Sequence, residues 1–308
     1  MSRDRAALVD DLLHALEPKA RSLIVTVYGD AISHRGGNAW LGSVVALVGP
    51  LGVNERAVRT AVFRLAQDHW LASQQIGRRS YYRLTEIGRR RVDAAHGRIY
   101  RHALEPWDGR WTMVAIRHTA ADPRARDELR RQLAWLGFGQ LASGVMLHPD
   151  PDEAALRELL ADAGAIREAL VLRGPAASWL GPEAVRDVIH RSWDLDRVVA
   201  DYGRFLDAFR PVWFALKDAD ALDPATCFAI RTLLMHGYRR ALLRDPMLPD
   251  ELLPADWPGT AARALCRNLY RLVQAAAERH TMAVLETPEG PAPEAQPAYF
   301  ERFGGLGP

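Results

Sequence analysis

The sequence of this protein predicts a multidomain α+β fold with an N-terminal winged helix-turn-helix domain, a middle ferredoxin-like domain and a C-terminal all-helical domain. Three observations predict it. Near residues 42–84, two helical apolar patterns joined by a glycine-containing turn precede two strand patterns joined by a short basic turn. The middle third follows the order β-α-β-β-α-β, and the last third carries helical periodicity. The length of 308 residues suits these domains, which we place at residues 1–101, 102–180 and 181–308.

The first half of the N-terminal region is predicted to be helical. Residues 1–18 are charged and rich in alanine, and they indicate a loosely held arm or a short helix. An apolar stripe predicts the first firm helix at about residues 20–33, and the glycine pair at 36–37 supplies the permissive backbone that ends it. A second helix is predicted at about residues 42–48, and a tight glycine-containing connection leads from it directly to Asn54.

Asn54 begins a helix with the pattern of a recognition helix. Its side-chain oxygen can accept a hydrogen bond from a free amide of the first turn, and Val58, Val62 and Leu65 fall on one packing face. The opposite face carries arginine and threonine, whose donors can reach base edges and phosphates in a DNA major groove. On that face, we interpret the aromatic Phe63 as packing under another element rather than meeting a thymine methyl group.

The segment after this helix is predicted to be a hairpin with a basic tip, in which Gly77-Arg78-Arg79-Ser80 joins two short strands. Between residues 54 and 101, eleven arginines stand against four acidic residues, a net charge of +7, whereas the whole chain carries +2. Because positive charge is concentrated here, we expect DNA contact to be confined to this region. A basic helix is predicted from Glu86 to about Arg101. The candidate DNA-binding residues are Asn54, Arg56, Arg59, Thr60, Arg64, Arg78, Arg79, Ser80 and Tyr81.

The remaining two thirds of the chain are predicted to form an α/β unit followed by helices. Periodicity predicts three long helices in the last third, and the proline-rich stretch at residues 286–297 indicates an extended or disordered tail. The middle elements are predicted at residues 111–117, 124–136, 138–148, 152–163 and 168–173, and the late helices at residues 183–209, 224–244 and 261–280.

Signals for catalysis, metal binding and membrane insertion are missing from the sequence. The two cysteines, Cys227 and Cys266, have no CxxC or Cys/His pairing, so we expect free thiols and no metal site. Neither a signal-peptide pattern nor a long apolar run is present, and we expect a cytoplasmic protein. No nucleophile elbow, phosphate-binding loop or metalloprotease motif is found, so we expect no catalytic residues and no cofactor.

Five long motifs point to one family. They are LIVTVYGDAISHRGGNAWLGS (23–43), NERAVRTAVFRL (54–65), IGRRSYYRLTEIG (76–88), HGYRRALLRDPMLPDELLPADWPG (236–259) and YFERFGGL (299–306). Together they closely resemble the PaaX family, the repressors of phenylacetic acid catabolism, and the resemblance extends from about residue 20 to the end. It implies a homodimer that represses transcription from double-stranded operator DNA and that phenylacetyl-CoA releases. It also implies a middle domain similar to the small CRISPR-associated nucleases and implicated in dimerisation.

An acyl-CoA effector would need cations near its phosphates and an aromatic slot for its acyl group. The helix predicted at residues 224–244 and a nearby tryptophan offer both. The alternative is that the arginines only complement the helix dipole and pair with nearby acids, and that the histidine is structural. The candidate effector-binding residues are Arg231, His236, Tyr238, Arg239, Arg240 and Trp213.

Three alternatives stay open at this point. A related regulator could answer a different acyl-CoA in another catabolic pathway. A nuclease-like nucleic-acid enzyme would need an acidic metal ligand in the first strand of the middle domain, and residues 111–117 contain none. An acyl-CoA enzyme would have to turn over the thioester rather than bind it.

Overall fold

The computed structural model of this protein describes residues 5–101, 106–116, 123–219 and 221–306. It has mixed helices and sheets in more than one compact unit, which confirms the predicted multidomain α+β class. Unit 1 is drawn from residues 1–102, 202–240 and 259–308, and unit 2 from residues 103–201 and 241–258. Unit 1 therefore combines segments that the sequence places in the first and third domains. The predicted ranges of the three domains stay predictions.

The chain begins with two helices, α1 (Arg5–Leu16) and α2 (Ala20–Val27). The first is more than a loose arm, because its residues Leu8, Leu12 and Leu16 are buried. The second continues through a π-helical turn, Tyr28–Ile32, into a short 3-10 turn, so the single regular helix predicted to residue 33 is wrong in its last part. The π-helical turn buries the acidic residue Asp30, and such turns are frequent at functional sites.

The next elements form a three-stranded antiparallel sheet with flanking helices. Across the sheet the strands are β1 (Asn38–Trp40), β3 (Arg79–Leu84) and β2 (Leu71–Ile76). Ile76 pairs with Arg79, so the hairpin turn contains only Gly77 and Arg78 rather than four residues. These elements are β1 (Asn38–Trp40), α3 (Leu41–Val48), α4 (Glu55–Gln67), β2 (Leu71–Ile76), β3 (Arg79–Leu84) and α5 (Glu86–Ile99).

Helices α4 and α5 both begin at side-chain caps. Asn54 Oδ1 accepts a hydrogen bond from the amide of Ala57 at 2.9 Å, as the sequence predicts. Thr85 Oγ1 accepts from the amide of Gly88 at 3.0 Å. Apolar residues of α4 are buried at the predicted period, including Val58, Val62 and Leu65, so the orientation of this helix follows from its sequence.

Unit 2 contains a four-stranded antiparallel sheet with the strand order β5-β6-β4-β7. Its elements follow the predicted β-α-β-β-α-β order, and Asp152 caps the helix that begins at Glu153. The last residue of the first predicted strand, Arg117, lies outside the described residues. The elements are β4 (Arg110–Ile116), α6 (Pro123–Trp135), β5 (Gly139–Ala142), β6 (Val145–His148), α7 (Glu153–Asp162), β7 (Ala169–Pro175) and α8 (Pro182–Ser192).

The prediction of one continuous helix at residues 183–209 is wrong, because the helix is interrupted at Trp193. Helix α8 ends just before this residue, and α9 (Leu195–Leu216) begins just after it. Trp193 adopts an extended backbone and donates from Nε1 to the carbonyl of Gly137 at 2.8 Å. Its ring packs so closely on Gly139 that a Cβ there would lie 2.5 Å from the ring. Packing of the indole within unit 2 thus overrides the helical pattern.

The last elements are long helices and an ordered tail. The tail is extended, as one reading of its composition predicts, but it is hydrogen-bonded and not disordered. The amide of Ala292 donates a hydrogen bond to the carbonyl of Leu285 at 2.9 Å, and the amide of Gln296 donates one to the carbonyl of His34 at 3.0 Å. The elements are α9 (Leu195–Leu216), α10 (Pro224–Leu242), α11 (Pro258–Val284), β8 (Glu286–Thr287), β9 (Gly290–Pro291) and α12 (Pro297–Phe300).

Two features are absent from the described residues. No helix among them has the length and apolar character that a bilayer crossing requires. No cluster of three or more histidine, cysteine or acidic side chains there is arranged to hold a metal ion. Cys227 and Cys266 are buried, and neither forms a disulfide.

Candidate nucleic-acid interface

The solvent-facing side of α4 carries the predicted recognition residues. Val58 and Val62 anchor the helix on the opposite side, so its outer side stays open. The capping amide of Asn54 is exposed at the start of the helix. The exposed residues of this face are Asn54, Arg56, Arg59, Thr60 and Arg64, and we call it the α4 face.

Two side chains of the α4 face are held by local contacts. Arg59 donates from Nε and Nη2 to Glu55 Oε1, at 2.8 and 2.6 Å, one helical turn away. Thr60 Oγ1 donates to the carbonyl of Arg56 at 2.9 Å. An exposed pair such as Arg59 with Glu55 contributes little to stability, so a stronger anionic partner can displace Glu55.

Phe63 lies on the same side of α4, and 59% of its surface is exposed. The interpretation that it packs under another element of the chain is therefore wrong for the described structure. Contact with a thymine methyl group stays a prediction for this residue.

The hairpin tip presents a second basic group. Gly77 takes a positive φ of 58°, which a glycine adopts without strain, and the turn leaves Arg78 and Arg79 exposed. The Arg79 guanidinium lies 4.3 Å from the centre of the Trp40 ring, and its Nη1 is 2.5 Å from Glu286 Oε2. The Trp40 ring and the Glu286 carboxylate restrain the position of this arginine.

The two residues after Arg79 differ in accessibility. Ser80 is half-buried and donates from Oγ to Gln75 Oε1 at 2.8 Å. Tyr81 is only 6% exposed and belongs to the core. The structure thus brings Arg78 and Arg79 to the surface, whereas Tyr81 supports the sheet from inside.

A groove beside α4 adds two cations that the sequence reasoning missed. Lys19 and Arg21, at the start of α2, line it together with Arg56, Thr60 and Arg64. Arg21 pairs with Asp68 at 2.6 Å. The one feature of the sequence that could have indicated these cations is Lys19, which follows Pro18 and is one of two lysines in the chain.

A buried ionic cluster lies within unit 1. Asp30, on the π-helical turn, lies 3.0 Å from Nε of Arg231 and 3.2 Å from Nη1 of Arg302. It also accepts hydrogen bonds from the hydroxyl groups of Tyr100 and Tyr270, at 2.6 and 2.9 Å. Four separate stretches of the chain therefore meet at one carboxylate.

A second carboxylate extends this group. Glu278 Oε1 is 2.5 Å from Arg231 Nη1, and its other oxygen binds the guanidinium of Arg35. We call the seven residues Asp30, Arg35, Tyr100, Arg231, Tyr270, Glu278 and Arg302 the Asp30 cluster.

The electrostatics of the Asp30 cluster keep its charges in place. Burial alone would raise the pKa of Asp30, but the guanidiniums of Arg231 and Arg302 and the two tyrosine hydroxyls hold that pKa below its ordinary value. Burial likewise opposes the charge of Arg231, and Asp30 restores it by raising the arginine pKa. Removing Asp30 or its partner Arg231 would leave a buried charge uncompensated, a change that costs about 3–5 kcal/mol.

The predicted effector-binding residues of α10 make contacts inside unit 1. Arg231 belongs to the Asp30 cluster and is fully buried. Arg239 Nη2 donates to Ser22 Oγ at 3.2 Å, and Arg240 Nη1 donates to the carbonyl of Leu16 at 3.0 Å. These contacts tie α10 to α1 and α2, and they differ from the pairing with nearby acids that the alternative predicted.

The other three predicted effector residues lie nearby. His236 is buried, with Nδ1 3.5 Å from Ser22 Oγ, and Tyr238 packs its ring 5.5 Å from that of Phe205. Trp213 is half-buried on α9. Burial, followed by the charges of Arg239 and Arg240, lowers the pKa of His236 to about 4. The assignment of all six residues to an effector stays a prediction.

An arginine-rich helix face beside a basic hairpin, with both on a buried scaffold, is typical of a protein that binds nucleic acid. Comparison with known proteins gives the particular family. Models described as PaaX-like protein, PaaX protein central Cas2-like domain and PaaX-like protein C-terminal domain match residues 19–88, 104–186 and 193–283. The chain belongs to the PaaX family, as its motifs predicted.

Two individual proteins resemble the chain. The transcriptional repressor PaaX of Escherichia coli (strain K12) is 40% identical over 299 residues, which cover 97% of this chain and 94% of the relative. The solved structure of the uncharacterized protein Rv0674 from Mycobacterium tuberculosis is 27% identical. The match covers 78% of this chain and 89% of the chain of that protein, with a TM-score of 0.51.

Proposed function

We propose that this protein is a DNA-binding transcriptional repressor of genes for phenylacetate degradation. The observation that carries the proposal is the 40% identity to a transcriptional repressor along nearly the whole chain. In this proposal, α3 and α4 are the helix-turn-helix and the β2–β3 hairpin is the wing. The cations of the α4 face and of the hairpin tip support this assignment, since both groups are exposed to solvent.

The two basic groups would have different roles on DNA. Arg56, Arg59 and Thr60 lie in the first two turns of α4, where side chains of a recognition helix reach base edges. Arg78 and Arg79 at the wing tip would bind phosphates or enter a minor groove, contacts that position the protein without reading its sequence. Lys19 and Arg21 would add phosphate contacts beside α4.

The repressor would act as a homodimer on a palindromic operator and be released by phenylacetyl-CoA. The family resemblance supports this, and the antiparallel sheet order of unit 2 supports a ferredoxin-like fold for the Cas2-like domain. Release would be a population shift, in which the effector binds the DNA-free state more tightly than the DNA-bound state. The protein would work in the cytoplasm, without a cofactor.

A DNA-release assay tests the proposal. The full-length protein first selects fragments from a genomic DNA pool, and a labelled selected fragment is then followed by fluorescence anisotropy at fixed salt. We expect phenylacetyl-CoA to release the DNA, while coenzyme A and free phenylacetate leave it bound. Release by free phenylacetate alone would contradict the thioester effector, and failure to enrich any fragment would contradict the repressor function.

A further inference from the structure

A polar cavity of about 280 Å³ opens in unit 1 beneath the root of the hairpin. Its walls are the turn at residues 33–37, the first half of α5, and the C-terminal segment at residues 296–302. The residues that line it are Ser33, His34, Gly36, Gly37, Leu84, Arg89, Asp93, His96, Gln296, Ala298, Tyr299 and Arg302. We call it the turn cavity.

His34 is the unusual residue of the turn cavity. It is only 6% exposed, and neither of its ring nitrogens has a hydrogen-bond partner among the described residues. The ring stacks on Tyr299, with centroids 4.3 Å apart. Stacking alone needs no nitrogens, and burying them unpaired is unfavourable, so packing does not account for a histidine here.

The charge around the turn cavity is positive. Arg302 is buried in its wall, with its guanidinium 4.1 and 4.5 Å from the rings of Tyr100 and Tyr299, and Arg89 is exposed at the mouth. Behind the wall, the Asp30 cluster sets three arginines against two carboxylates, an excess of one positive charge. Asp93 at the mouth is the one carboxylate among the lining residues.

The neighbouring titratable groups leave His34 without charge. Burial, followed by the charges of Arg302, Arg35 and Arg231, lowers the pKa of His34 far below its ordinary value. His96 faces the same cavity, and burial together with Arg302 lowers its pKa as well. A neutral imidazole can donate from one nitrogen and accept at the other, so His34 can bind a polar ligand that the arginines attract.

We propose that the turn cavity binds a small organic anion through a carboxylate or phosphate group, with Arg89, Arg302 and His34 as its ligands. These guanidiniums match the oxygens of either anion, and charge-assisted hydrogen bonds of this kind are strong. The rings of His34 and Tyr299 would border the rest of the molecule.

The position of the turn cavity gives the anion a route to the hairpin. Gly37 lies in its wall, and the carbonyl of Gly37 accepts a hydrogen bond from the amide of Leu84 at 2.9 Å. The next residues form β1, in which Trp40 pairs with Tyr81 of β3. An anion in the cavity would therefore touch both the C-terminal segment and the base of the wing. The further claim that the bound anion lowers the affinity for DNA rests on the proposed function.

The test is isothermal titration calorimetry on the full-length protein. The probes are phenylacetyl-CoA, coenzyme A and inorganic phosphate as phosphate sources, and phenylacetate as the carboxylate source. His34→Phe keeps the stacked ring and removes only nitrogens that bind nothing in the described structure. We expect it to weaken binding of the anion at least tenfold while the melting temperature is unchanged or higher. Arg89→Gln should also weaken binding, and Asp93→Asn should strengthen it.

Arg90→Gln is the matched control, because Arg90 is exposed on the same helix but does not line the turn cavity. Its affinity should equal that of the wild type. Equal affinities of wild type, His34→Phe and Arg89→Gln would overturn the proposal, as would the failure of all four probes to bind. DNA release by phenylacetyl-CoA that persists in His34→Phe would also overturn it while leaving the repressor function intact. Anion binding that requires His34, in a protein that binds no DNA, would support the cavity and contradict the repressor.

Discussion

At the scale of single residues, Arg59 is the side chain on which sequence-specific binding should depend. We expect Arg59→Ala to cost about 1–3 kcal/mol of affinity for the preferred DNA sequence, because a bidentate guanidinium contact to a base would be lost. The fold should be unaffected, since Arg59 is exposed and its ion pair among the described residues is with Glu55 on its own helix. A gel-shift titration at fixed salt against preferred and scrambled DNA measures both effects.

Arg79→Ala is the matched comparison at the wing. This substitution should weaken binding to preferred and scrambled DNA by similar factors. It should also reduce the salt dependence of the binding constant by about the amount that one phosphate contact contributes. An Arg59→Ala protein with unchanged affinity for the preferred sequence would show that the α4 face is not the recognition surface.

Exposure of single residues could be predicted from periodicity, but the partners of buried charges could not. The arginines of α4 are exposed because Val58, Val62 and Leu65 fix the opposite side of the helix. Arg231 has a comparable sequence context, yet it is fully buried against Asp30, about 200 residues earlier in the chain. Nothing local to α10 indicates such a partner.

At the scale of elements, α5 offers two glycines in different surroundings. A Cβ on Gly88 would lie 2.3 Å from the carbonyl oxygen of Trp70, whereas a Cβ on Gly97 would meet nothing within 4 Å. We expect Gly88→Ala to lower the unfolding free energy by about 1–3 kcal/mol, because backbone must shift. Gly97→Ala should raise it by about 0.4–1 kcal/mol through a lower unfolded-state entropy.

Melting temperatures of the two alanine variants, measured by calorimetry beside the wild type, check this prediction. The two shifts should have opposite signs. Equal stability of Gly88→Ala and the wild type would mean that α5 does not pack against Trp70 as described.

Most elements could be predicted from sequence because their signals are local. Capping by Asn54 and Asp152 and the apolar period of α4 act within a few residues, and the structure has these features. The break at Trp193 and the π-helical turn around Asp30 depend instead on contacts with distant residues, Gly137 for the indole and Arg302 for the carboxylate. Such tertiary contacts override local propensity.

At the scale of the whole molecule, two of the motifs that identify the family meet in one place. YGDAISHRGG supplies Asp30, His34 and Arg35, and the C-terminal YFERFGG supplies Tyr299 and Arg302. Their meeting at the Asp30 cluster makes the first and last segments of the chain parts of one compact unit. The cluster therefore offers a physical connection between the C-terminal segment and the base of the hairpin.

Buried neutral histidines should make this protein sensitive to acid. His236 has a pKa lowered from 6.5 to about 4 by burial and by two neighbouring arginines, and the pKa values of His34, His96 and His280 are lowered too. Between these two pH values, the unfolded chain takes up protons that folded His236 does not. Its contribution to stability is therefore full above pH 6.5 and is lost as the pH falls to about 4, on the order of 3 kcal/mol.

Calorimetric melting temperatures between pH 7 and pH 5 measure this loss in the full-length protein. We expect a decrease with falling pH that is smaller in His236→Gln, because glutamine takes up no proton in the unfolded chain. His14→Gln, which changes an exposed histidine of α1, should keep the wild-type slope. If His236→Gln lost stability with acid as steeply as the wild type, the buried histidine of α10 would not be the group that the unfolded chain protonates.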